Sequence, residues 1–127
     1  MSAVSGAVER YLETIHELEP EGPVRVKDIA VALSISYPSV TGMVNRLVES
    51  GLATHDRYRH IELTSKGRRI ARGLDRKQAV IMRFFTEVLG IDEEAAERDA
   101  CEIEHVISTG TLDKLVEYLE KTTRPAG

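Results

Sequence analysis

The chain has 127 residues, 42% of them hydrophobic and 30% charged, with a formal net charge of −4 at pH 7. That length holds one compact domain, or a small domain with an accessory helical unit, and excludes two large domains; four prolines and no low-complexity tract exclude a disordered chain. Charge interrupts every apolar run, which leaves no membrane span, and a single cysteine with no leader-like N-terminus points to a reducing cytoplasm.

Between Ala7 and Leu18 the apolar residues Val8, Tyr11, Leu12, Ile15 and Leu18 recur at helical spacing, with Glu9, Arg10, Glu13 and Glu17 between them. "EPEGP" breaks this first amphipathic helix, because two prolines and a glycine within five residues forbid its continuation. A short second helix follows in "VKDIAVALS", whose apolar face is Ile29, Ala30 and Leu33, with Arg25 just before it. The segment "ISYPSVTGMVNRLVESG" predicts a third helix. Ser36 caps it, Pro38 suits its first turn, Val40, Met43, Val44, Leu47 and Val48 line one face, and Gly51 stops it.

The opposite face of that helix presents Tyr37, Ser39, Thr41, Gly42, Asn45 and Arg46, and is free of acids until Glu49. A short helix, a tight turn and a second helix with such a face make a helix-turn-helix, whose second helix enters the major groove of DNA. Small hydroxyl residues there permit close approach to phosphates or base edges, and Asn45 and Arg46 carry donors that read bases.

In "LATHDRYRHIELTSKG" two short strands, marked by Leu52, Ile61 and Leu63, flank the polar turn "DRYR", which predicts a wing with Arg57 and Arg59 at its tip. A new helix starts at "TSKG", with Lys66, Arg68, Arg69 and Arg72 in its first turns. Residues 57–77 hold eight Lys and Arg against two acids, a local +6, whereas residues 86–120 hold eleven acids against Arg98 and Lys114, a local −9. A basic stripe follows phosphates even in an acidic chain, because screening limits each charge's reach to roughly 10 Å.

Residues 76–89 are apolar at Val80, Ile81, Phe84, Phe85, Val88 and Leu89, wider than one helical stripe. Two more helices follow, from "DEEAAERDACEIEHVIS" and "TLDKLVEYLEK", and a helical unit of this kind beside a DNA-binding domain fits dimerisation. On a continuous helix Cys101, Glu104 and His105 fall within about a 100° sector, so a thiolate, a carboxylate and an imidazole can converge on one ion, as first-row divalent metals accept. The spacing also fits a small core cysteine beside two surface residues, or a Cys–His nucleophile pair. No HExxH, CxxC or glycine-rich phosphate loop supports an enzyme, so a non-enzymatic chain is expected.

The ordered set "ERYLETIHELE", "VKDIAVALSISYPSVTGMVNRLVESGLA", "LTSKGRRIA", "LGID" and "ACEIEHVIS" resembles the diphtheria toxin repressor and manganese transport regulator family of metal-dependent repressors, from about residue 8 to 120. The length is similar to the short form without an SH3-like domain. The resemblance implies a mainly α fold, with a winged helix-turn-helix over residues 1–73 and a helical dimerisation and metal-binding domain over 74–127. It implies a cytoplasmic homodimeric repressor that binds palindromic double-stranded operator DNA when a divalent metal is present. Arg25, Ser36, Tyr37, Pro38, Ser39, Thr41, Gly42, Asn45, Arg46, Arg57 and Arg59 are then the expected DNA-binding residues.

Carried over residue by residue, the family's metal ligands match Cys101, Glu104 and His105, with Glu13 from the first helix. Mn2+ or Fe2+ is implied by the family, while the thiolate also admits Zn2+, Co2+ or Ni2+. The chain departs from the pattern at Arg10, where the family has a methionine or aspartate ligand, and at Gln78 and Glu97, where it has histidines. Arginine cannot ligate a cation. An alternative is therefore a metal-independent regulator of the same fold, in which Arg10 replaces the metal's charge.

Overall fold

Val8, Tyr11, Leu12 and Ile15 all fall on one side of a helix, and the computed structural model, which describes residues 5–123, buries them on α1 (Gly6–Leu18). The Ser5 hydroxyl starts this helix by accepting the Val8 N–H at 3.3 Å. A 3-10 turn over Glu19–Glu21, with Pro20 in it, ends the run, and Gly22 turns the chain at φ 131°, a backbone angle that favours glycine.

Helix α2 (Val26–Leu33) and α3 (Tyr37–Glu49) form the helix-turn-helix, with Ser34 between them in the left-handed region at φ 56°. Helix α3 begins as the sequence predicts, with Ser36 as cap and Pro38 in the first turn. Its buried stripe is Val40, Val44 and Leu47; Val48, expected on that stripe, is 39% exposed. Strands β1 (Ala53–His55) and β2 (Ile61–Leu63) pair antiparallel, Ala53 with Leu63 and His55 with Ile61. The Ile61 N–H also donates to the Val24 carbonyl at 2.7 Å, which fastens the wing to the lead-in of α2.

One core serves these elements: Leu12 and Ile15 from α1, Ile29 from α2, Val40, Val44 and Leu47 from α3, and Leu52 and Ile61 from the wing, each at most 3% exposed. Each such aliphatic side chain contributes about 1.5–3 kcal/mol relative to exposure, and this burial fixes the outer face of α3.

The basic segment from Ser65 and part of the apolar segment 76–89, read separately in sequence, join in one helix, α4 (Ser65–Arg83). Gly73 does not break it, since glycine within a helix costs only about 1 kcal/mol. The Thr64 hydroxyl accepts the Gly67 N–H at 3.2 Å and donates to the Gly51 carbonyl at 2.7 Å, tying the start of α4 to the end of α3.

The chain divides into two compact units, residues 1–73 and 74–127, with the division inside α4. In the second unit a π turn over Phe84–Val88 follows α4, then come α5 (Glu93–Ile103), capped by Asp92, and α6 (Thr109–Thr123). Phe84 meets Phe85 and Tyr118 edge to face, with centroids 6.5 and 5.8 Å away. Among the described residues no helix is long and apolar enough to cross a membrane.

Candidate nucleic-acid interface and metal ligands

The exposed side of α3 follows from what its core stripe leaves outside. Tyr37, Pro38, Ser39, Thr41, Gly42, Asn45 and Arg46 are all solvent-facing, and no acid lies among them. The Ser36 hydroxyl accepts the Ser39 N–H at 3.4 Å and donates to the Ser39 hydroxyl at 3.0 Å, so the cap fixes both. A Cβ placed on Gly42 would meet nothing within 4 Å. Packing inside the chain therefore does not require glycine there; the bare backbone faces outward.

The wing turn carries Arg57, Tyr58 and Arg59, all exposed. It is held by paired backbone bonds, Asp56 N–H to the His60 carbonyl and Arg59 N–H to the Asp56 carbonyl, both at 3.0 Å, with Arg59 left-handed at φ 67°. The Asp56 carboxylate accepts the His60 N–H at 2.9 Å. That bond above all holds the carboxyl below the ordinary aspartate range, helped by the His60 and His55 imidazoles nearby. Arg25, immediately before α2, places Nη2 3.3 Å from Nε2 of His60, so the wing engages this residue. Its backbone N–H donates to Asp28 at 2.9 Å.

The metal-ligand candidates occupy both units, and each unit is described by itself. In the first, Glu13 lies on α1 with only 7% of its surface exposed, a buried carboxylate within the helix. In the second, α5 ends at Ile103, but Glu104 keeps the helical geometry and so stays on the face of Cys101, and the winding tightens only from His105. Glu104 caps the helix at φ −56°, ψ −27°, and its N–H donates to Ala100 at 3.0 Å. The His105 N–H donates to Glu102 at 3.4 Å, a tighter turn than the α-helix. Three residues between Ile103 and Ile107 are thereby wound into a turn, and Cys101, half-buried, stands one α-helical turn before it.

Glu104 is fully buried, and its Oε1 lies 3.4 Å from Nε2 of His105, itself buried. A carboxylate buried at a helix C-terminus, the negative end of the macrodipole, calls for positive charge. A thiol, a carboxylate and an imidazole around one helix end are a donor set that divalent first-row metals accept, so these residues fit such an ion.

The structure thus gathers the α3 candidates on one face, puts Arg57 and Arg59 at the wing tip, and sets Arg25 against His60. Sequence reasoning missed His60. Its signal was the Asp-x-x-x-His spacing within the turn, which lets the aspartate accept from the histidine backbone.

Two family models match the chain: "Iron dependent repressor, N-terminal DNA binding domain" over residues 4–61, and "Iron dependent repressor, metal binding and dimerisation domain" over residues 64–126. They meet ahead of α4, whereas the compact units divide within it. The chain is 38% identical to the iron-dependent repressor IdeR of Mycobacterium tuberculosis, an alignment covering 100% of the chain and 56% of that protein. It is 37% identical to the HTH-type transcriptional regulator MntR of Bacillus subtilis, over 91% of the chain and 83% of that protein. The chain therefore spans about half the length of the IdeR proteins and most of MntR. Among solved structures, the manganese regulator SloR superposes with a TM-score of 0.77 at 32% identity, covering 89% of this chain and 53% of that one. The metal-dependent transcriptional regulator MtsR superposes at 0.80 and 27%, with the same coverage.

Proposed function

The chain belongs to the iron-dependent repressor family, and on that premise we propose that it is a transcriptional repressor of metal homeostasis. As a cytoplasmic homodimer it binds double-stranded operator DNA when a divalent metal is bound, residues 1–73 serving DNA binding and 74–127 dimerisation and metal binding. The observation that carries this reading is the outer face of α3, polar, free of acids, and held outward by the buried stripe of Val40, Val44 and Leu47.

In this reading the N-terminal residues of α3, from Ser36 to Gly42, approach phosphates and base edges, and Asn45 and Arg46 read bases. Arg57 and Arg59 add charge at the wing, and Arg25 adds a phosphate contact at the start of α2. Cys101, Glu104 and His105 would hold the metal with Glu13, the last carried over from the family's first-helix ligand. Bound there, the ion supplies positive charge to carboxylates that are otherwise buried. Manganese or iron is the expected effector, as in the names of the relatives, and the thiolate also admits zinc, cobalt or nickel. The reading in which Arg10 makes metal unnecessary is not favoured, because the relatives are named for iron or manganese dependence.

In vitro selection from a random duplex library tests this. Selection with manganese should recover a palindrome whose half-sites lie about 34 Å or a multiple apart. Recovery of no preferred sequence with any divalent metal would refute the proposal.

A further inference from the structure

His60 sits where the wing turn returns to β2, and its imidazole makes two directional contacts. Nε2 lies 3.3 Å from Nη2 of Arg25, 35 residues away in sequence. Nδ1 lies 3.6 Å from Oδ2 of Asp56. A guanidinium has only N–H donors, so the bond from Arg25 requires a lone pair on Nε2 and puts the ring proton on Nδ1, facing the carboxylate. The other Asp56 oxygen accepts the His60 backbone N–H at 2.9 Å, and the next residue's N–H bonds Val24 at 2.7 Å. Both ends of the Arg25–His60 contact are thus anchored through the backbone within one residue.

We infer that His60 is a positioning residue for DNA binding: by accepting a hydrogen bond from Arg25 it holds that guanidinium at the start of α2, oriented for a phosphate of the duplex. The inference rests on the DNA-binding reading given above. In a helix-turn-helix the first helix crosses the phosphate backbone, so a cation at its N-terminal end belongs to the phosphate contacts rather than to base readout. An exposed arginine left alone samples many rotamers, and a fixed acceptor reduces that search before DNA arrives.

A double-mutant cycle between positions 25 and 60 tests this, using a fluorescein-labelled mixed-sequence duplex at low salt with manganese present, where binding rests on phosphate contacts. Arg25→Ala and His60→Ala should each weaken binding by about five- to tenfold, and the double variant no more than either alone. His60→Gln, whose amide oxygen accepts the same bond, should restore binding in the wild-type chain and do nothing in Arg25→Ala. Additive penalties, or a His60→Gln variant that binds as weakly as His60→Ala, would overturn the inference while leaving DNA binding intact. A wild-type chain that binds no duplex with manganese present would overturn the DNA-binding reading itself, and the inference with it.

Discussion

Glu19 grips Arg68 within the first unit: one guanidinium nitrogen lies 3.0 and 3.1 Å from its two carboxylate oxygens. The same carboxylate accepts the Leu63 N–H at 3.3 Å, so a residue in the turn after α1 holds both the wing strand β2 and helix α4. With side-chain exposures of 20% and 31% the pair is partly shielded from water. Glu19→Ala should therefore destabilise the first unit by about 1–3 kcal/mol, read as a lower Tm. Lys114→Ala should change nothing measurable, because its pair with Glu117 is 81% and 55% exposed.

Two glycines should respond in opposite senses. A Cβ on Gly67 would run into the backbone carbonyl of Leu52, which cannot give way without moving the base of the wing. Gly67→Ala should cost roughly 2–4 kcal/mol of stability. Gly42 has open space around it, so Gly42→Ala should stabilise α3 by up to about 1 kcal/mol and still weaken DNA binding, because the added methyl stands on the face proposed to meet the duplex. Unchanged affinity in Gly42→Ala would remove this residue from the interface.

The wing should loosen in acid at a definable point. Asp56 has a depressed carboxyl pKa, caused first by the backbone hydrogen bond from His60. A depressed acid contributes stability that is fully present above its unfolded pKa of about 3.9 and is lost as pH falls through the lower folded value. The His60 amide resonance in an NMR titration should therefore shift below the ordinary aspartate range. Asp56→Asn should abolish that transition.

Thiolate ligation has a spectroscopic signature. Cobalt added to the purified chain should produce a near-ultraviolet sulfur-to-metal charge-transfer band, lost in Cys101→Ser, since the thiolate and not the hydroxyl is the ligand. His105→Ala and Glu104→Gln should each lower metal affinity by about 10- to 100-fold. A Cys101→Ser variant with an unchanged cobalt spectrum would take Cys101 out of the ligand set.

The helices and the wing were legible in sequence because their signals are local. Apolar residues three and four apart built α1 and α3, Ser36 and Pro38 marked where α3 begins, and Leu52, Ile61 and Leu63 marked the hairpin. The end of α5 was not legible: "CEIEHVIS" contains no glycine or proline, and the stop comes from the turn bonds of His105 and Val106, which no spacing rule announces. Nor was the Arg25–His60 contact, since it needs the chain to reverse and lay the wing beside the start of α2. The proposed metal donors were legible as a spacing and through the family resemblance. The full burial of Glu104 is a property of the fold.

The central claim is that a divalent metal controls DNA binding, and one titration tests it most directly. Affinity for the duplex recovered by selection is measured by fluorescence anisotropy with manganese, iron or zinc, and again with excess chelator. The account predicts that at least one metal tightens binding by about 5- to 150-fold, the usual size of coupling between two sites, and that Glu104→Gln abolishes the difference. Equal affinity with metal and with chelator would contradict it.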